Sequence, residues 1–512
     1  MAITPYIIKS LPGIKRDGTR FENGFYVDGQ WCRFQRGLPR KMWGYRRLTN
    51  ALSEISRGLN TYNQDGLLYI ASGGASTIEQ FSVNANGTIT SVADRTPAAL
   101  TANSLHLWTF DTSFDSVGVT PGAYLLAHPG KNLAEIDSSA TSTLYWGLVN
   151  DTPDLIANTA PAVSGGVVSL YPYVFVFGSD GFVAWSVANN PDDWTSTGSG
   201  SAYITAQKVV AALPLRAGPG SAPAGLFWSL DSLIRCTFVG GVAVFQFDTI
   251  SAQTSILSSQ SVIEYDGIFY WCGVDRFLQF NGVVREIPNQ LNQNDFFDNL
   301  NYAQRQKVFA YKVPRFGEIW WCYPRGNATE CTHAVIFNIR ENTWYDTELP
   351  NGGRSSGKFA TVYQYPVLTG VKEEGGNYKL WQHEFGVDEV DGTELNSIPS
   401  FFETADISMV ADQNSPRSRA LRCALIEPDF LQSGNMTVQI TGRANARAPE
   451  VTTPEHVFPD QTNTTEPYQQ VIFFKETRRE MRFIFKSNEV GGDYQMGQCI
   501  AHVEVGDGTV LG

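Results

Sequence analysis

The chain has 512 residues, 42% hydrophobic and only 17% charged, with 47 Gly, 25 Pro and 64 aromatic side chains (31 Phe, 21 Tyr and 12 Trp). That balance excludes a disordered, fibrous or coiled-coil protein and allows two to four ordinary domains, or one large β body with an appendage. A net charge of −13, from 38 basic and 51 acidic residues, argues against wholesale wrapping of nucleic acid.

Met1-Ala2-Ile3-Thr4-Pro5 lacks the basic and apolar regions of a secretory signal. The longest apolar stretch, Val167 to Phe177, is interrupted by Ser169 and Pro172 and falls short of the roughly 20 residues that span a bilayer. The expectation is a chain made in a cytosol and soluble there. Residues 1–60 hold eleven basic side chains against four acidic ones, a net of +7, so the remainder carries −20. Two readings of this arm, placed at 1–50, stay open: it lies on its own acidic body, or it docks on an acidic neighbour or another copy of the chain. Trp31, Arg33, Phe34, Arg36, Arg40, Lys41 and Trp43 put cations beside aromatic anchors and are the candidate assembly contacts.

Residues 51–395 read as an irregular β-propeller of six or seven blades. Leu67-Leu68-Tyr69-Ile70, Ala123-Tyr124-Leu125-Leu126, Tyr173 to Phe177, Leu226-Phe227-Trp228, Gly267 to Trp271, Glu318-Ile319-Trp320-Trp321 and Thr361-Val362-Tyr363 recur between Gly, Asn, Asp and Pro turns. Starts at 67 and 361 bound six intervals of roughly 49 residues, close to a kelch-type period. Phe277 to Phe280 followed by Asn281-Gly282 reads as a hairpin with a type I′ turn. Phe337 to Trp344 and Trp185 to Trp194 suggest hairpins whose Trp packs on the next blade. One helix is expected over Asp298 to Lys307. After about residue 396 the spacing changes. Phe401 to Ile407, Leu421 to Ile426, Met436 to Ile440, Val471 to Lys475 and Met481 to Phe485 read as strands of a C-terminal β-sandwich, residues 396–512, with Ala444 to Pro467 as a Pro/Thr-rich loop.

Little in the chain asks for chemistry. Gly353-Arg354-Ser355-Ser356-Gly357 matches GxSxG, but a turn precedes it and a strand follows, where a nucleophile elbow needs a strand before and a helix after. Gly218 to Gly225 is Gly-rich without the Gly-Lys-Ser/Thr of a phosphate cradle. Six histidines show no paired ligand spacing, and seven cysteines show no CxxC pair, so no metal, no cofactor and no disulfide framework is expected, although Cys322 and Cys331 could face each other across a hairpin. Ser179-Asp180-Gly181 and Asp192-Asp193-Trp194 read as turn acids. Of Lys475 to Arg482, the alternating Glu476, Arg478, Glu480 and Arg482 read as a subunit contact or solvated face rather than a phosphate-binding one.

Gly24 to Phe34 with Gly37 to Tyr45 resembles the N-terminal segment of the tail nozzle, or packaged-DNA stabilisation, proteins of short-tailed phages. Gly273 to Gly282, Glu318 to Pro324 and Val335 to Trp344 are similar to the propeller section of that family, and Ser487 to Gly497 resembles its C-terminal domain. The resemblance implies a structural virion protein with no catalytic activity, assembled in the bacterial cytoplasm as a homo-hexameric ring below the portal and adaptor. Its partners would be its own copies, the adaptor and portal complex, tail fibre or spike proteins, the host cell envelope, and DNA that passes through the bore without sequence-specific contacts. An acidic body suits such a bore, because like charge prevents tight phosphate contacts. The family also implies that N- and C-terminal strands pair into a platform. The competing readings are a receptor-binding or carbohydrate-active, sialidase-like tail propeller, and a cellular kelch-like scaffold.

Overall fold

Polar turns cut the middle of the chain into short hairpins, and these group into seven sheets around one axis, antiparallel but for one parallel pairing, Glu389–Asp391 with Tyr45–Leu52. The computed structural model describes residues 3–19, 24–98, 100–117, 121–131, 142–215, 222–408, 420–444, 447–460 and 471–505. The inner strands of blades one to seven are Leu59–Gln64, Thr109–Asp115, Gly166–Leu170, Val209–Pro214, Ile263–Tyr265, Phe309–Val313 and Arg354–Ala360. Blades one to six hold four strands each. The seventh is closed by a strand from far upstream, Tyr45–Leu52, which pairs with Asn377–His383 with Tyr45 opposite His383. Residues 45–50 therefore belong to the propeller and not to the arm.

The second strand of each blade is a nearly unbroken apolar run because both of its faces are buried, each against a different neighbour. In blade four Phe227 packs towards blade three, while Leu226 and Trp228 pack towards blade five. In blade two Leu125 and Ala127 face blade one, whereas Tyr124 and Leu126 face blade three. The apolar core is thus a ring of interblade seams, and the seam between blades six and seven continues into the platform through Trp31, Phe34 and Tyr45.

Both ends of the chain build that platform. Thr4–Ile7 pairs with Ile500–Val505, which lies beside Leu421–Glu427 and then Ile472–Arg478. Asp28–Gln30 pairs with Ser400–Glu403, placing Gly29 opposite Phe402, and that sheet continues through Glu480–Ser487 to Met436–Arg443. The hairpin of Cys32–Gln35 and Leu38–Lys41 joins Asp493–Met496 and Phe430–Ser433. Among the described residues, no helix is long and apolar enough to cross a membrane.

Several local expectations need correction. Residues 361–363 form the turn of a hairpin, not a strand, and the second strand of blade seven starts at Tyr365. Phe280 pairs with Val284, so three residues rather than two make the Asn281-Gly282 connection, and Asn281 does not take the positive φ that a type I′ turn needs. The helix divides in two, Gln293–Asn299 and a 3-10 turn at Tyr302–Lys307. Trp344 packs backwards, its ring 4.7 Å from Phe277 of blade five, because the outer strand leans over the preceding seam. The 444–467 stretch includes short strands at Val451–Thr452 and His456–Phe458, while 445–446 and 461–467 lie outside the described residues.

Candidate assembly interface

The N-terminal segment reaches blade six before it enters blade seven, and four of its seven candidate residues are buried within the same chain. Trp31 donates its backbone N–H to Thr347 Oγ1 at 3.0 Å and its indole N–H to the Trp43 carbonyl at 3.2 Å. Its ring meets Tyr45 and Trp320 edge-on. Phe34 packs between Tyr26 and Tyr345, with ring centroids 5.2 and 5.5 Å away. Lys41 donates to the Gly492 carbonyl at 2.6 Å; burial lowers its pKa, against the pull of Asp388 and Asp493. Gly44 passes so close to the Asp388 backbone that a Cβ would collide with it.

Arg33 is the most enclosed of these side chains. Its guanidinium lies 2.9 Å from Glu318 and 2.6 Å from Glu384, and stacks over Phe316 at 3.8 Å. Glu318 also accepts from Tyr345 Oη at 2.7 Å and Trp320 Nε1 at 2.9 Å. Burial alone would discharge Arg33, but Glu318 and Glu384 outweigh it and raise its pKa. Arg16 pairs with Asp28 and Asp346, Arg47 with Asp391, and Arg57 with Glu330, so the first 60 residues spend much of their positive charge on carboxylates of their own chain. As contacts to another molecule, Trp31, Arg33, Phe34 and Lys41 are withdrawn by their burial. Arg20 and Glu22 lie outside the described residues.

Arg36, Arg40 and Trp43 keep solvent access. Arg36 and Gly37, with φ of 57° and 73°, form the tight turn of the arm hairpin, and the Glu341 carboxylate accepts both of their N–H groups at 2.8 and 2.9 Å. Two residues that sequence reasoning passed over complete a patch here. Arg315 stacks over Trp43 at 3.9 Å, and Arg340 donates to the carbonyls of Arg315 and Pro314 at 2.7 and 2.8 Å. Arg315 over Trp43, Arg340 beside Arg315 and Arg40 over the neighbouring Phe316 thus form a basic, aromatic surface, with Arg36 exposed at the tip of the arm hairpin beside Glu341. Arg315 and Arg340 sit on two turns of one blade, about 25 residues apart in the chain, and only the fold brings them to the arm.

The remaining candidate sites are accounted for by structure. Ser355 lies within the Arg354–Ala360 strand, buried, and shares a hydrogen bond with Thr369 Oγ1 at 2.9 Å, so the GxSxG match lacks the elbow geometry. Arg354 Nε donates to His383 Nε2 at 3.1 Å, and burial holds that imidazole neutral. All seven cysteines are free and buried, Cys322 and Cys331 included. Asp193 caps a local turn by accepting the N–H groups of Thr195 and Ser196 at 3.1 and 2.9 Å. Among the described residues, no group of three His, Cys, Asp or Glu could hold a metal ion. Glu480 and Arg482, read earlier as a solvated or subunit face, are buried: Arg482 pairs with Glu403, Asp406 and Glu450, because the strand is central in its sheet. Residues 216–221 of the Gly-rich stretch lie outside the described residues.

No family model and no curated protein matches the chain. Among solved structures, the computationally designed Ika8 protein aligns at 10% identity over 66% of this chain and 99% of its own, with a TM-score of 0.38. The Pan2 WD40 domain of Neurospora crassa aligns at 9% identity over 65% of this chain and 91% of its own, with a TM-score of 0.37. Likenesses this slight carry no functional meaning, and the propeller is defined by its own strand pairing.

Proposed function

We propose that the chain is a structural virion protein, the tail nozzle of a short-tailed bacteriophage. Its copies close into a homo-hexameric ring that retains packaged DNA and conducts it at ejection. The observation that supports this reading most is the joining of the two chain ends: three platform sheets each combine N-terminal with C-terminal strands, as the resemblance implied. A platform sealed to the propeller through one continuous core suits a load-bearing ring better than a freely hinged receptor-binding head.

Two further features favour assembly. Thr4–Ile7 and Ile472–Arg478 are the open edges of one platform sheet, with Ile7 and Phe473 exposed, and such edges and faces are where another chain docks. The patch around Trp43 offers the positive charge that copies with acidic bodies need in order to meet. The DNA path in this proposal runs between copies, not through the propeller. The axial channel has a volume of about 380 Å³, and the Gln260 amide crosses its mouth to the Arg57 and Trp108 carbonyls at 2.9 and 3.3 Å. A duplex whose major groove alone is about 12 Å wide cannot enter it.

The test is labelling of intact virions with antibody raised against the purified chain, viewed by electron microscopy. Label confined to the tail vertex is the expected result. A virion population without label, alongside secreted or cell-associated protein, would overturn the proposal.

A further inference from the structure

The channel enclosed by the seven inner strands carries four charged side chains: Asp111, Glu264, Lys312 and Lys358. Three are accounted for within the protein. Lys312 lies 3.5 Å from the Glu264 carboxylate and donates to the Glu264 carbonyl at 2.8 Å, so that pair is neutral. Asp111 accepts the backbone N–H groups of Thr112 and Ser169 at 2.8 and 2.7 Å.

Lys358 is different. It sits mid-strand in blade seven, opposite Val367, and its ammonium makes no hydrogen bond or ion pair among the described residues. The side chain retains water contact inside the channel while the inner strands surround it. That enclosure lowers its proton affinity; Asp111 opposes the shift and Lys312 adds to it. In the channel its donors face water, and an oxyanion taking the place of that water gains a charge-assisted hydrogen bond to the ammonium. Thr109, Thr112 and Thr361 line the same space and carry further hydroxyl donors. The volume lies at the small end of the range for ligand sites, roughly 300–1,000 Å³, and Gln260 closes one mouth.

We propose that the axial channel of the propeller is a binding site for a small oxyanion, a phosphate or a carboxylate, held by the ammonium of Lys358. A cation at Asp111 is the weaker alternative, because that carboxylate already accepts two N–H donors whereas all three Lys358 donors are unused. This site is separate from the patch around Trp43 and does not depend on the proposed role in a tail.

Inorganic phosphate and succinate are the two probes, titrated calorimetrically into the full chain, its Lys358→Gln variant and its Lys358→Arg variant. At least one probe is expected to bind the wild type with one site per chain and to raise its melting temperature. Which probe does so separates a phosphate site from a carboxylate site. Lys358→Gln should bind at least about tenfold more weakly, a loss of about 1.4 kcal/mol, while Lys358→Arg keeps binding. Tungstate soaked into crystals of the wild type should give density beside Lys358. Absence of binding by both probes, unchanged affinity in Lys358→Gln, or tungstate density only elsewhere would each overturn the proposal.

Discussion

Arg33 and Lys358 both point into the fold, one buried and one in contact with water in the channel, and the regions that hold them are built on opposite terms. At the joint between arm and propeller, Arg33 meets two carboxylates and an aromatic face, and one of the carboxylates, Glu318, is itself tied to Tyr345 and Trp320. In the axial channel Lys358 forms no ion pair among the described residues, and Asp111 acts on it only at a distance. The joint is closed and its charge compensated. The channel is open to water, and its Lys358 has no direct counter-ion among the described residues. An inward-pointing charge alone therefore says little about role; what decides is whether the fold places a counter-ion in direct contact with it.

The largest expected effect comes from removing the joint altogether. Deleting residues 1–44 takes strands from every platform sheet and strips Trp31 and Phe34 from the shared core, so the remaining chain should be insoluble or rapidly proteolysed beyond residue 396. Recovery of a soluble, protease-resistant 45–512 fragment would show that the platform stands without the arm. Next, Arg33→Met should destabilise the chain by roughly 3–5 kcal/mol, because Glu318 and Glu384 then lie buried without their partner. Urea unfolding measures this directly, and a loss under 1 kcal/mol would contradict the compensated joint. The matching change in the channel, Lys358→Gln, should leave stability unchanged or slightly raised.

Acid should act through buried neutral imidazoles. Burial pushes His128 down to about 3, with Lys208 adding to the shift and a hydrogen bond with Val163 opposing it. The folded value lies below the unfolded value of about 6.5, so its contribution is intact above pH 6.5 and is lost progressively as pH falls towards 3. From pH 7 to pH 5 this one group should remove about 2 kcal/mol, and His128→Asn should flatten that slope. A small effect is expected at Ser355→Ala: about 1 kcal/mol for the bond to Thr369, and no loss of assembly. Labelling of native protein at Ser355 by a serine-reactive probe would contradict its structural role.

The fold was legible where both faces of a strand are buried. Runs such as Tyr270-Trp271-Cys272 and Trp320-Trp321-Cys322 announce themselves, and their spacing pointed to six or seven blades, although the run expected at 361–363 is the turn before the strand Tyr365–Glu374. What spacing could not convey was where distant segments meet. Tyr45–Leu52 reads as part of an arm because nothing nearby indicates that Asn377–His383, more than 300 residues away, lacks a partner strand. The aromatic and basic character of residues 31–43 was visible, but its direction was not: Arg33 turns inward because Glu318 waits in blade six. A glutamate at the head of an all-apolar strand is itself the signal that a buried cation must come from elsewhere. Lys358 had no such signal, since a lone lysine between Gly357 and Phe359 looks like any strand-surface residue until the inner strands are seen to close around it.

The central claim is that copies of this chain meet through the surface that remains after the arm is buried. Sedimentation velocity of the full chain, with negative-stain imaging of the same sample, tests it most directly when wild type is compared with an Arg36→Glu, Arg315→Glu, Arg340→Glu variant. The wild type should form closed rings whose population rises with concentration and falls with salt, while the variant stays monomeric with unchanged circular dichroism. Rings of equal abundance in the variant, or a wild type monomeric at every concentration and ionic strength, would contradict it.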